Sequence, residues 1–331
     1  MESEPKTLVI LDTNKVRNNF EWEKDYSNFE PKGDFLKLVE WVERNKLNEL
    51  IFIGLPEIVV EELVTTRCEN FSEQLETLKV GIKKLGGISC FDFSKIVLPN
   101  GNYDYNAFIK AKITEYIDGK KFVIILKLEK ALYAQTLELL IDKVTKKKKP
   151  FKEKKGFKDA LIWETILNLK EVNKYFSVFV LSENEKDFDL DLQEEFKKKF
   201  SKDLNLEFNT DTLIVALENI YGLHIKYPEL LAYLKTDYFK GEFMDFLVDN
   251  YSLGINNFEV KAILGISETI SADLNEFGLA DTYSEEDLPN LKRCTVLFGN
   301  DAKEYNAELV FEPQTNGIIA LNYEEKEVSH E

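Results

Sequence analysis

Apolar and polar positions in the first part of the chain follow two alternating patterns. Four short β-rich runs, "TLVILDT" (7–13), "ELIFIGL" (49–55), "YFSVFVLSE" (175–183) and "LNLEFNT" (204–210), are separated by segments with helical spacing. Phe35, Leu38, Val39 and Val42 form one face of a helix over 33–47. "EIVVEELVTTRC", after Pro56, reads as a helix with proline near its first turn. "FKDALIWETILNLKEV" (157–172) has a broad apolar helical face, and "TDTLIVALENIYG" is a helix capped by Thr or Asp, with Gly222 just past its end. Residues 103–145 read as a long, mostly helical interruption that leads into "KKKKPFKEKKGFKD". Strands alternating with helices predict a parallel sheet with helices on both faces.

After about residue 222 the pattern changes. A helical region runs from "PELLAYL" to about 288. Three β-rich runs follow, "CTVLFGN", "AELVFEP" and "GIIALNY", broken by the turn segments "GND" and "PQTNG", which suits an antiparallel meander. The expected organisation is an α/β domain over 1–219, with a helical and basic insertion at 103–156, and a smaller α+β domain over 220–331.

A length of 331 residues, 44% hydrophobic and 31% charged, is ample for two soluble globular domains. No secretory segment opens the chain, and no apolar run approaches the ~20 residues of a membrane span. Cys68, Cys90 and Cys294 are odd in number and widely spaced, as expected of free thiols in a reducing cytoplasm. His224 and His330 are too few for a histidine-rich zinc site or a histidine-based triad. The net charge of −17 argues against a nucleic-acid partner only until it is divided. Residues 201–331 hold 9 Lys+Arg and 25 Asp+Glu, whereas residues 1–200 hold 34 and 35. The first part is close to neutral and remains open to a polyanion.

Candidate chemistry gathers at the ends of the strands. In an open α/β sheet, ligands bind outside the carboxyl ends of the strands, near the switch point. Asp12 ends the first strand; "FVLSENEKDF" delivers Asn184, Glu185 and Asp187 to the same edge. Glu61 and Glu62 lie early in the helix after the second strand, and Asp159 lies in the first turn of the helix that starts near Lys158. Clustered carboxylates repel, and a hard divalent cation relieves the repulsion. Such a cation can activate water and stabilise charge on a phosphodiester.

The ordered motifs "LDTN", "PEIVVEEL", "KKGFKDALIWETIL" and "VLSENEKDF" resemble a PIN domain, in particular the larger bacterial PIN-like proteins, over about residues 7–219. The resemblance implies a Rossmann-like three-layer α/β sandwich and Mg²⁺- or Mn²⁺-dependent endonuclease activity, on RNA more often than DNA. It assigns the acids to Asp12, braced by Thr13 or Asn14, then Glu62, with Glu61 as fallback, and Asp159. In many PIN proteins an Asp stands two residues after a strand-end Ser or Thr. Here Ser182 is followed at that position by Asn184, and Asp187, about one turn on, is the substitute. A host- or phage-RNA restricting role, as a toxin or defence effector, and a homodimer also follow from the resemblance.

The same residues have plain structural uses. Asp12 can cap a turn, Glu61, Glu62 and Asp159 suit a helix dipole, and Glu164 reads as solvated. Nine lysines lie within residues 143–158, among them Lys149, Lys152, Lys154, Lys155 and Lys158. Such runs are commonly solvated surface, but one leading into a candidate ligand helix can hold phosphates. Phe151 and Phe157 can stack on bases or anchor the loop. The acidic C-terminal part offers a protein-partner surface or a solubilising domain. Two rivals remain: a catalytically degenerate PIN scaffold that binds RNA or protein, and a haloacid-dehalogenase-like phosphatase. The phosphatase would want an Asp where Asn14 stands.

Overall fold

The computed structural model describes residues 5–16, 25–88, 90–99, 103–146, 148, 156–184, 190–251, 258–300, 303–313, 315 and 317–325. The chain divides into two compact units, Pro5–Ala216 and Leu217–Glu331, and the division falls within one helix.

The first unit is built on five parallel strands: β1 (Thr7–Leu11), β2 (Ile51–Pro56), β3 (Val123–Leu126), β4 (Ser177–Leu181) and β5 (Leu204–Glu207), in the order β3-β2-β1-β4-β5. β1 is central and all five of its residues are buried. That burial explains the continuous apolar run: a parallel strand covered on both faces has no polar side to show. Thr7 is tolerated there because its hydroxyl shares a 2.7 Å hydrogen bond with that of Ser177 on β4. On β2, a Cβ at Gly54 would lie 2.7 Å from Leu126 and 3.2 Å from Leu8, so glycine lets both neighbours close over the strand.

The crossovers are helical. α1 (Thr13–Val16) and α2 (Gly33–Arg44) join β1 to β2; α3 (Glu57–Leu85) and α4 (Tyr105–Gly119) join β2 to β3; α5 (Tyr133–Thr145) and α6 (Phe157–Leu167) join β3 to β4; α7 (Leu190–Phe200) joins β4 to β5. α2 buries Phe35, Leu38, Val39 and Val42, the face its spacing predicts. The expected interruption at 103–145 is corrected by β3, which lies between α4 and α5. "FVIIL" is a short, wholly apolar run, and periodicity cannot separate such a run from buried helix.

The second unit begins in α8 (Thr210–Lys226), whose helical geometry breaks at Tyr221, so a first helical segment ends directly before Gly222, where the sequence places its stop, and a short second segment continues to Lys226. α9 (Pro228–Leu234), α10 (Asp237–Tyr251), β6 (Glu259–Glu268), α11 (Ser271–Glu276), β7 (Lys292–Gly299), β8 (Glu304–Glu312) and β9 (Gly317–Glu325) follow. The strands form an antiparallel sheet in chain order. An aromatic core of Phe239, Phe243, Phe298 and Phe311 joins α10 to this sheet. β6 corrects the expected helical region to 288. Its pairing with β7 shifts register twice, near Ala262 and Gly265, which breaks the alternation by which a strand is read. The three cysteines are free, and among the described residues no helix is long and apolar enough to cross a membrane.

Candidate active site

From β1 the chain passes outward to β2 and β3, then returns beside β1 for β4 and β5. The switch point therefore lies between β1 and β4, where diverging crossovers leave a crevice at the carboxyl ends. Leu11 pairs with Leu181, and the Asp12 N–H donates to the Leu181 carbonyl at 3.0 Å. The next residue of each strand, Asp12 and Ser182, thus faces the other across the crevice.

Asp12 is only 3% exposed. Its Oδ1 accepts the Thr13 N–H at 2.6 Å, and its Oδ2 accepts the Ser182 hydroxyl at 2.8 Å. The Ser182 Oγ in turn accepts the Asn184 N–H at 3.0 Å, which fixes the turn after β4. Burial pushes the Asp12 carboxyl above the usual aspartate range. The two hydrogen bonds oppose this, and the nearby carboxylates of Glu62 and Glu183 add to it.

Glu62 comes from the second turn of α3. Its Oε2 accepts the Thr13 hydroxyl at 3.0 Å, and its Oε1 pairs with the Lys158 ammonium from α6. Thr13 therefore touches both acids, through its N–H and its hydroxyl. Glu61 turns away and pairs with Lys110 of α4. Asp159 is partly buried in the first turn of α6, beside Lys158. Asn14 is exposed. Asp187, Lys149, Lys152, Lys154, Lys155 and Phe151 lie outside the described residues, and Phe157 is exposed.

Two neighbours escaped the sequence reading. Lys15 is buried and pairs with Asp34 at 2.9 Å and Glu183 at 3.6 Å. The signal for Lys15 was its place one helical turn beyond Asp12; for Glu183 it was the position directly after Ser182. Glu164, expected in solvent, is instead buried and pairs with Lys143 of α5 at 2.7 Å. α6 buries nearly every residue from Ala160 to Leu167, so no face of that stretch is left for solvent. Lys143 also lies near Glu195, which accepts the Trp163 indole N–H at 2.7 Å. The described members of the lysine run all meet acids: Lys146 and Lys148 both pair with Asp142.

The donor set at the crevice is wholly oxygen. Among the described residues, no group of three or more His, Cys, Asp or Glu stands close enough to hold a metal ion, and no cation lies within ion-pairing distance of Asp12. Asp12 is raised first by its burial and then by Glu62 and Glu183, and it has no cation of its own among the described residues, although Lys158 pairs with Glu62 and Lys15 with Glu183. The residues present fit a hard divalent cation in donor type.

Neither the search of curated proteins nor that of solved structures gave a match. A family model described as PIN domain matches residues 9–188, a span that holds Asp12, Glu62, Asp159, Ser182 and Asn184. That match covers more than half of the chain and runs from within β1 through β4, the strands whose switch point carries Asp12. The chain belongs to the PIN domain family.

Proposed function

We propose that this protein is a divalent-metal-dependent endonuclease that hydrolyses phosphodiester bonds in RNA. PIN domains are generally nucleases, commonly bind nucleic acids and generally use divalent metals. The observation that carries the reading is Asp12: an acid at the switch point, raised first by its burial and then by Glu62 and Glu183, with no cation of its own among the described residues. Mg²⁺ or Mn²⁺, when bound, would supply an activated water and shield charge on the phosphate. Asp12 and Glu62 would hold the ion, with Asp159 from α6 and Asn184 or Asp187 after β4 completing the oxygen set. Ser182 and Thr13 would fix the orientation of the Asp12 carboxylate, and Thr13 would do the same for Glu62. Lys158, with Lys149, Lys152, Lys154 and Lys155, would hold backbone phosphates. A cytoplasmic toxin or defence effector is the setting this activity suits.

The test is cleavage of end-labelled single-stranded RNA, structured RNA and DNA in Mn²⁺, Mg²⁺ or EDTA, comparing wild type with Asp12→Asn. Metal-dependent cutting of RNA that the variant loses is the expected result. Cutting that persists in EDTA or in the variant overturns the reading.

One observation favours the degenerate-scaffold alternative. The Lys158 ammonium already neutralises Glu62, as a fixed cation does in a site that has lost its metal. Calorimetric titration with Mn²⁺ separates the two: a nuclease site binds the ion and loses it in Asp12→Asn, whereas a scaffold binds none.

A further inference from the structure

α3 is much longer than its packing requires. It buries Val59, Val60, Val64 and Arg67, and nothing beyond Arg67. Phe71 is its last anchored ring, stacked on Tyr105 with centroids 3.9 Å apart. The rest of the helix, "SEQLETLKVGIKKL", projects from its own unit with Leu78 at 46% and Leu85 at 38% exposed. Leu75 and Ile82 are partly exposed.

The apolar positions of this segment are ordered. Val64, Cys68, Phe71, Leu75, Leu78, Ile82 and Leu85 follow one another at alternating intervals of four and three. That is the period of a seam between two helices, and such a seam is sustained only by a partner helix. The domain itself buries the seam at Val64, covers Cys68, Phe71, Leu75 and Ile82 only in part, and leaves Leu78 and Leu85 exposed.

Charge along α3 says which helix fits. Glu69, Glu73 and Glu76 lie in one stretch without a base; Lys79, Lys83 and Lys84 lie in the next without an acid. A second copy running antiparallel sets each acidic stretch against the other's lysines, whereas a parallel copy sets like on like. The one intrahelical pair on this stretch, Glu76–Lys79 at 2.5 Å, is exposed at both ends and costs little to re-partner. The contact is self-complementary, as a two-fold axis demands. Ile88, Phe91 and Ile96, all well exposed just beyond the helix, extend the apolar surface.

We propose that the distal half of α3 pairs antiparallel with the same helix of a second copy of this chain. The seam from Leu75 to Leu85 is only about 16 Å long, so the dimer is concentration-dependent.

Sedimentation velocity of the full chain from about 1 to about 100 μM spans the range in which so short an interface half-dissociates. Wild type should pass from monomer to dimer across it. Leu78→Glu with Ile82→Glu should weaken association at least about tenfold, with the circular dichroism and melting temperature unchanged, because both side chains are solvent-accessible in the monomer. Glu73→Lys with Glu76→Lys should also weaken it, and adding Lys83→Glu with Lys84→Glu should restore it. A monomer at every concentration overturns the proposal, as does a dimer indifferent to the Leu78 and Ile82 changes. A dimer indifferent to the first charge reversal overturns the antiparallel orientation. Association is read without reference to cleavage, so it stands or fails apart from the nuclease reading.

Discussion

The Ser182 hydroxyl donates to Asp12 Oδ2 at 2.8 Å across the β4–β1 crevice, while its oxygen accepts the Asn184 N–H. One small side chain thus orients the candidate acid and shapes the loop beside it. Ser182→Ala removes both bonds from a buried setting and should cost about 1–3 kcal/mol in urea unfolding. It should also lower metal affinity by tenfold or more, the usual effect of losing a partner that orients a ligand, as read by Mn²⁺ calorimetry.

Asp12 should destabilise the metal-free fold at neutral pH. Its carboxyl is raised above the ordinary value of 3.8 by burial. The unfolded chain therefore gives up this proton more readily than the folded one. The cost is absent below the ordinary aspartate range, grows as pH rises through it, and is complete above the folded value. In EDTA, Asp12→Asn should melt higher than wild type near pH 7, and the gap should close as pH falls towards 4. A gap that widens on acidification contradicts the assignment.

Lys158 has two expected employers, Glu62 and a phosphate. Lys158→Ala frees Glu62, so Mn²⁺ should bind more tightly. RNA binding should weaken, and the salt slope should fall by about one phosphate contact. Tighter metal binding with weaker RNA binding, in titrations at several salt concentrations, is the expected signature.

The Lys143–Glu164 pair should behave as a buried ion pair that is costly to halve. The Glu164 side chain is 2% exposed and that of Lys143 is 11% exposed. Lys143→Met alone should destabilise by about 3–5 kcal/mol, since it leaves the buried Glu164 charge uncompensated, whereas Glu164→Gln should cost less because Glu195 still faces Lys143. Lys143→Met with Glu164→Leu should recover most of that loss in chemical denaturation, although Glu195 loses a lysine neighbour.

The candidate site was legible in the sequence where local pattern places its residues. β1 is a continuous apolar run that ends in Asp12, and the ordered motifs around Glu62, Asp159 and Ser182 need no tertiary knowledge. Partnership was not legible. That Glu62 reaches Thr13 while its neighbour Glu61 reaches Lys110 depends on the rotation of α3 against α4. The burial of Glu164 depends on α6 being covered by α5 and α7, whose Lys143 and Glu195 flank it. β3 and β6 were missed for opposite reasons: one is too short and apolar to show a period, and the other has its period broken by two shifts in register.

The order of the strands also sets a clock. Asp12 and Ser182 stand 170 residues apart in the chain, with β2 and β3 made between them. At a synthesis rate of about 5–20 residues per second, roughly ten to thirty seconds separate their emergence from a ribosome. For that interval β1 is without its β4 neighbour, and Asp12 is without the hydroxyl that orients it. A growing chain therefore cannot carry the assembled crevice beside the RNA that encodes it until nearly the whole first unit has been made.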